Sequence, residues 1–352
     1  MTVTALGLPA VRRPSPPSAP PASGPLVDTF GRVHTDLRIS LTDRCNLRCT
    51  YCMPAEGLDW LPGEHLLRPD ELARLLHIAV TRLGITNVRF TGGEPLVARH
   101  LEEVVAAAAA ERPRPEIALT TNGIGLAKRA RRLKDAGLDR VNVSLDTVDP
   151  VRFARITRRD RLADVLAGLE AARAAGLTPV KVNAVLDAET GLDDAVQLLR
   201  FCLDRGYQLR IIEQMPLDAG HQWRRDQTLS ADEVLAALQR EFRLSPDPTP
   251  RGSAPAQLWR IDGTGATVGI IATVSHAFCS ACDRTRLTAD GQVRNCLFAQ
   301  QETDLRGLLR SGADDDAVEA AWRAAMWAKA AGHGINDPDF VQPARPMSAI
   351  GG

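Results

Sequence analysis

From about residue 36, short β-branched runs alternate six times with stretches rich in Ala, Leu and Arg. That alternation limits the fold more than any other feature of the chain. The runs read as strands at Asp36–Leu41, Asn87–Thr91, Glu116–Thr120, Arg140–Leu145, Pro179–Val185 and Gln208–Glu213. The stretches between them read as helices at Pro69–Leu83, Leu101–Glu111, Ala127–Ala136, Leu162–Ala175 and Leu192–Arg205. Gly84, Gly137 and Gly176 stand where helix C-termini call for glycine. Each unit spans about 30 residues, the length of a right-handed β-α-β crossover. The expectation is an α/β fold with a parallel sheet, an incomplete (β/α)6 TIM-like barrel. After Glu213 the pattern changes. Residues 244–256, LSPDPTPRGSAPA, read as a linker, and a helix is expected near Asp314–Ala328. The chain thus divides into a Pro-rich, disordered leader (1–25), the partial barrel (26–243) and a C-terminal domain (244–352).

Seven cysteines are present, six of them in two groups of three. An odd total, without a secretory leader, argues against a disulfide framework and for metal ligation. Cys45, Cys49 and Cys52 have C-x3-C-x2-C spacing directly after the first strand. Three thiolates can hold three irons of a 4Fe-4S cluster and leave the fourth open, as catalytic metal sites do. A zinc knuckle would need a fourth ligand nearby, and there is none in the sequence. Cys279, Cys282 and Cys296 form the second group, C-x2-C-x13-C. Asp290–Gly291 signals a hairpin turn, and pairing outward from it sets Cys296 opposite Thr285 and returns it to the other two thiols. A zinc ribbon that recruits His276 is the competing reading here. Cys202 reads as an ordinary buried cysteine.

Active sites of such folds sit at the C-terminal ends of the strands. There the sequence offers Gly93 and Glu94 in RFTGGEP, Thr120 and Asn122 in TTNG, Ser144, and Met215. Inward strand positions that would usually be aliphatic carry Arg38, Arg89, Lys181 and Arg210, with Glu213 expected to alternate inward as well. Only four of the 43 basic residues are lysines, which makes Lys181 the more informative. Four cations in one cavity suit a polyphosphate. The formal net charge is zero, so no global field favours nucleic acid or a membrane surface. No apolar run approaches the roughly 18 residues of a membrane span, and a cytoplasmic location is expected.

The loop LRISLTDRCNLRCTYCMP, with Tyr51 just before its last cysteine, resembles the radical S-adenosylmethionine (SAM) superfamily. Taken in order with RFTGGEP, TTNG, NVSLD, VKVN, RIIE, CSACDRTR, a third cysteine and a terminal Gly-Gly, it makes residues 26–352 resemble the GTP 3′,8-cyclase family of molybdenum cofactor biosynthesis. The resemblance implies two 4Fe-4S clusters. One, on Cys45, Cys49 and Cys52, cleaves SAM; the other, on Cys279, Cys282 and Cys296, binds the guanine of GTP. It implies that the 5′-deoxyadenosyl radical takes the ribose C3′ hydrogen and that C3′ then joins guanine C8. Tyr51, Gly93, Ser144 and Met215 would contact SAM. Arg38, Arg89, Thr120, Lys181, Arg284, Thr285 and Arg286 would contact GTP, with Arg38 and Arg210 acting in catalysis. Gly351 and Gly352 would belong to a tail directed toward the site. The implied partners are GTP, SAM, an external electron donor and, downstream, the cyclic pyranopterin monophosphate synthase. The implied assembly is a monomer or a homodimer. The alternatives are a peptide-modifying radical SAM enzyme with an auxiliary cluster and a non-catalytic iron–sulfur electron carrier.

Overall fold

The computed structural model describes residues 19–351. Residues 1–18 of the expected leader, and Gly352, lie outside the described residues. The six expected β-α units are present in order. They run β1 (Asp36–Ser40), α1 (Pro69–Thr81), β2 (Asn87–Thr91), α2 (Leu101–Ala110), β3 (Glu116–Thr121), α3 (Leu126–Asp135) and β4 (Arg140–Ser144). Then come α4 (Pro150–Thr157), α5 (Leu162–Ala174), β5 (Lys181–Val185), α6 (Gly191–Arg205) and β6 (Gln208–Ile212). Apart from α4, which was not expected, each boundary lies within two residues of the one expected, the usual scatter at helix and strand ends. Gly84, Gly137 and Gly176 all take positive φ beyond their helices.

Beyond β6 the chain forms α7 (Ala231–Glu241), β7 (Leu244–Pro246), β8 (Gln257–Ile261), β9 (Thr267–Ile271), β10 (Arg284–Leu287), β11 (Gln292–Arg294) and β12 (Thr303–Asp304). It ends with α8 (Leu305–Arg310), α9 (Asp315–Trp327) and α10 (Met347–Ile350). Two expectations need correction here. Residues 244–246 are not linker but an edge strand, β7, paired antiparallel with β8. The sequence reading also passed over α7, although Ser230 and Glu233 form a reciprocal capping box at its start.

Among the described residues all twelve strands join one sheet, in the order β12-β11-β10-β1-β2-β3-β4-β5-β6-β9-β8-β7. Strands β1 to β6 are parallel; β9 adds parallel to β6 and β10 parallel to β1. The sheet is a barrel left open, with hydrogen bonds to the C-terminal strands at both of its edges. The residues from β9 to β10 connect the two edges across the gap.

Strand alternation explains the layering. Leu37 and Ile39, Val88 and Phe90, Ile117 and Leu119, Val141 and Val143, Val182 and Ala184, and Leu209 and Ile211 are buried. They pack with helix faces such as Leu72, Leu75, Leu76 and Ile78 of α1 in one continuous core. A fully buried side chain of this kind contributes roughly 1.5–3 kcal/mol. The opposite phase of each strand turns inward and is largely polar, so the interior is left free for a ligand.

A candidate active site between two cysteine loops

One cavity of about 330 Å³ occupies the barrel interior, and all six clustered cysteines line it. The first three lie on the loop after β1. That loop is held from several sides. Arg48 donates to the Cys45 carbonyl at 2.7 Å, Arg158 donates to the carbonyls of Arg48 and Met53, and Cys52 N–H donates to the Cys49 carbonyl at 3.0 Å. Tyr51 donates its hydroxyl to Asp146 Oδ2 at 2.8 Å, which fixes the ring beside the thiols. Burial, and then the neighbouring Cys45 thiolate, push the Cys52 thiol up to about 12. A positive metal centre in place of the three protons would remove that repulsion.

Gly93 lies against the same loop. Its N–H donates to the Thr42 carbonyl at 2.7 Å, and a Cβ there would stand 2.3 Å from the Asp43 carbonyl oxygen. Only glycine permits that approach. Glu94 lines the cavity, but its carboxylate is already engaged. Its carboxylate accepts from Leu96 N–H, Thr121 Oγ1 and Asn122 N–H, and burial outweighs these bonds and pushes it up to about 7.

The second group reaches the cavity from the strand linking the sheet edges. Cys279 and Cys282 lie between β9 and β10, and Cys296 follows β11. The hairpin register is Arg286 opposite Arg294 and Leu287 opposite Val293, which extends to Cys296 opposite Arg284 and not Thr285. The turn has three residues instead of two, because Thr288 N–H pairs with the Gln292 carbonyl and Gly291 takes φ +78°. His276 is exposed, and its Nε2 lies 3.0 Å from Asp232, so it is turned away as a fourth ligand. Among the described residues, no three His, Cys, Asp or Glu side chains converge as the shell of a single ion would require.

Cations fill the space between the loops. In register, Arg286, Arg38 and Arg89 stand side by side on β10, β1 and β2, and Arg284 pairs with Asp36. Asp36 lies 3.6 Å from Arg38 and 4.0 Å from Arg89. Burial works against the Asp36 carboxylate, but Arg38, Arg89, Arg284 and Arg286 together hold it below the usual range. Burial, then Arg38, brings Arg89 down to about 9, and burial with Arg140 brings Arg210 to about 10. The Nε atoms of Arg38, Arg89, Arg210 and Arg284 are buried without a hydrogen-bond partner, as is Asn183 Oδ1. The four guanidinium donors are costly to leave so unless an anion with several acceptor oxygens completes them, whereas Asn183 Oδ1 calls for a donor such as a hydroxyl.

The expected residues Arg38, Tyr51, Arg89, Gly93, Thr120, Ser144, Arg210, Met215, Arg284 and Arg286 all line this cavity. Lys181 is not among the residues that line the cavity; it stands one inward position below Asn183 on β5, near Arg210, Arg140 and Arg89. Thr285 is on the other face. Its hydroxyl accepts from Trp322 Nε1 at 3.0 Å, because alternation turns it outward between Arg284 and Arg286. Glu213 lines the cavity as expected, but from just past the end of β6 and not by strand alternation, whose inward positions are Arg210 and Ile212. It sits just past the strand and accepts from the N–H groups of Ala231, Val274 and Ser275 and from Ser275 Oγ. It thereby fixes the start of the loop that carries Cys279. Removing it orphans several buried donors at about 1–3 kcal/mol each. Glu213→Ala should therefore lower the unfolding free energy by ~3 kcal/mol or more in a denaturant titration, and Glu213→Gln by less. The sequence reading missed Asp36, Arg140, Asp146 and Asn183.

The tail closes one side of the cavity. Met347 and Ser348 line it, and Gly351 is buried with its carbonyl accepting from Arg286 at 2.8 Å. A Cβ on Gly351 would lie 2.3 Å from Ser40 Oγ and 2.6 Å from Thr91 Cγ2.

Residues 39–202 match the radical SAM superfamily, and residues 207–335 match the family described as Molybdenum Cofactor Synthesis C. The chain is 78% identical over 352 residues to a GTP 3′,8-cyclase of Mycobacterium sp. strain KMS, covering 100% of both chains. It is 76% identical over 360 residues to the GTP 3′,8-cyclase of Mycobacterium marinum, again covering 100% of both. Among solved structures, Streptococcus suis SuiB bound to precursor peptide SuiA is similar with a TM-score of 0.58 at 13% identity, over 84% of this chain and 66% of that one. That last likeness concerns the fold.

Proposed function

The chain belongs to the GTP 3′,8-cyclase family, and from that premise we infer that its cavity takes SAM and GTP together and converts GTP to 3′,8-cyclo-7,8-dihydro-GTP. The observation that carries the division of labour is the set of inward arginines, four of them with Nε atoms that make no hydrogen bond, between two sets of three thiols. Cys45, Cys49 and Cys52 would hold one 4Fe-4S cluster, and Cys279, Cys282 and Cys296 a second. SAM with its iron–sulfur cluster supplies, when bound, a carbon radical able to abstract hydrogen from the substrate ribose.

The remaining work falls to the chain's own side chains. Tyr51, Gly93, Ser144 and Met215 would line the SAM side. Arg38, Arg89, Thr120, Arg210, Arg284 and Arg286 would seat the triphosphate and orient the ribose, with Lys181 below them. The Gly351 tail would exclude water from the radical. Residues 26–243 would form the SAM-cleaving part and residues 244–352 the part that holds the second cluster. An external electron donor, delivery of product to the cyclic pyranopterin monophosphate synthase, action as a monomer or homodimer, and a cytoplasmic setting belong to the same reading. Among the described residues, no helix is long and apolar enough to cross a membrane.

The test is anaerobic reconstitution with iron, sulfide, GTP, SAM and a reductant. The expected result is one 5′-deoxyadenosine per molecule of a new product that is isobaric with GTP but separable from it. SAM cleavage that leaves GTP unchanged would overturn the reading.

Lys181 gives a pH signature. Burial first, and then Arg210, Arg140 and Arg89, bring it down to about 7. A bound triphosphate would raise it again, so binding above pH 7 takes up a proton. GTP affinity should be full below about pH 7 and should fall as pH rises through that value toward the higher value of the complex. Lys181→Met should flatten this profile and raise the GTP Kd about tenfold or more, with little change for SAM. Isothermal titration with each ligand reads both; equal losses would place Lys181 outside the GTP site.

A further inference from the structure

Lys329 is one of only four lysines, and the side chain is 4% exposed. It lies just past the end of α9, where its N–H donates to the Met326 carbonyl at 3.0 Å. The ammonium donates to the Arg284 carbonyl at 2.8 Å and to the Cys282 sulfur at 3.3 Å. No carboxylate pairs with it among the described residues. A buried ammonium needs an anion nearby. The group placed to serve is the sulfur of Cys282, which must be thiolate when it ligates a metal.

The placement is braced from both sides. Trp322 of α9 is fully buried and bonds Thr285 on the outer face of β10. Arg32 donates to the carbonyl of Cys279 at 2.8 Å and to those of Ala330 and Ala331, the residues directly after Lys329. Arg32 is in turn paired with the buried Asp28. The segment bearing Lys329 and the loop bearing Cys279 and Cys282 are thus tied to each other by a second, independent set of bonds.

We propose that Lys329 is a positioning residue for a cluster on Cys279, Cys282 and Cys296, where its ammonium holds the Cys282 sulfur and raises the reduction potential of that cluster. A reduced cluster carries one more negative charge than an oxidised one, so a fixed cation donating to a ligand sulfur favours the reduced form. The inference rests on the two-cluster reading above.

The experiment separates the two. The full chain with Cys45→Ala, Cys49→Ala and Cys52→Ala leaves the second group intact. After anaerobic reconstitution it should bind about four irons and four sulfides. Failure to bind them would refute the second cluster, and Lys329's role with it. With the cluster bound, a redox titration followed by electron paramagnetic resonance compares Lys329, Lys329→Met and Lys329→Arg. Lys329→Met should lower the reduction equilibrium constant about tenfold or more, a shift of about 59 mV to more negative potential, and Lys329→Arg should restore most of it. An unchanged potential in Lys329→Met would overturn the proposal. Should Lys329→Met lose the cluster, Lys329→Gln, which keeps a donor and drops the charge, is titrated instead and must show the same negative shift; an unchanged potential there overturns the proposal. Loss of the cluster in both, with retention in Lys329→Arg, supports it; loss in Lys329→Arg as well overturns it.

Discussion

Cys296→Ala should reduce formation of the cyclised nucleotide to background while SAM cleavage continues, whereas Cys45→Ala should stop both. The difference follows from where the two thiols sit. Cys45 belongs to the loop that also carries Tyr51 and meets Gly93 and Asn122, the side of the cavity assigned to SAM. Cys296 comes from the far side, on the hairpin arm opposite Arg284, next to the arginine row assigned to GTP. If the second group holds the substrate's guanine, its loss leaves the radical chemistry running without a correctly placed acceptor, and 5′-deoxyadenosine accumulates alone. Chromatography for 5′-deoxyadenosine and for nucleotide product reads both. Full product from Cys296→Ala would remove the second group from the reaction.

Gly351→Ala is expected to lose most of the cyclase activity with little change in melting temperature. Gly351 takes φ +83°, a region that L side chains rarely occupy, and the strain there is of order 1–3 kcal/mol. Its new methyl would also meet Ser40 Oγ at 2.3 Å and Thr91 Cγ2 at 2.6 Å. Ser40 and Thr91 are paired neighbours on β1 and β2, with backbones fixed in the sheet, so their side chains would have to turn away and the positive φ would still be unfavourable. The tail is therefore expected to leave. Arg286 then loses the Gly351 carbonyl and is left buried beside Arg38. The core that sets the melting temperature lies on the other face of the strands and is not touched. Hydrogen exchange at residues 347–351 should rise in the variant. Unchanged exchange with full activity would show that the tail accommodates the methyl and that its seat is not needed.

Much of the barrel was legible because two periodicities agree. Strands with apolar residues in one phase and Arg, Lys, Asn or Thr in the other announce both the helix-facing side and a polar interior. The same parity argument, applied to CSACDRTR, turns Thr285 away from Arg284 and Arg286; a motif taken as a block hides this. Glu213 does reach the cavity, but not through the alternation expected of it, since it lies past the end of β6 and strand phase no longer governs it. Arg140 carries no local signal in a chain whose basic residues are nearly all arginine; only its register beside Ala118 on β3 brings it toward Arg89. Asp36 and Asp146 are ordinary acids in sequence and become distinctive through what surrounds them. Four helices were missed, α4, α7, α8 and α10, the first two despite visible caps. Asp149 caps α4 ahead of Pro150, and Ser230 with Glu233 caps α7, but both helices are short and the apolar stripe alone is weak at that length. The one-residue error at Cys296 came from assuming a two-residue turn.

The strands that flank the six-unit sheet come from far along the chain: β9 begins at Thr267 and β10 ends at Leu287. During synthesis, then, β1 and β6 leave the ribosome with bare edges and wait for some 20 residues that arrive late. Pairing β1 with β10 closes a loop of about 240 residues, among the slowest kinds of contact to form. The first cysteine loop is complete long before this happens, and the second arrives in the same short piece that seals both edges. A nascent chain halted before residue 267 would present two unpaired strands to any neighbour, so self-association is the expected fate of such fragments. The stretch that brings the second set of thiols is also the one that ends this exposure.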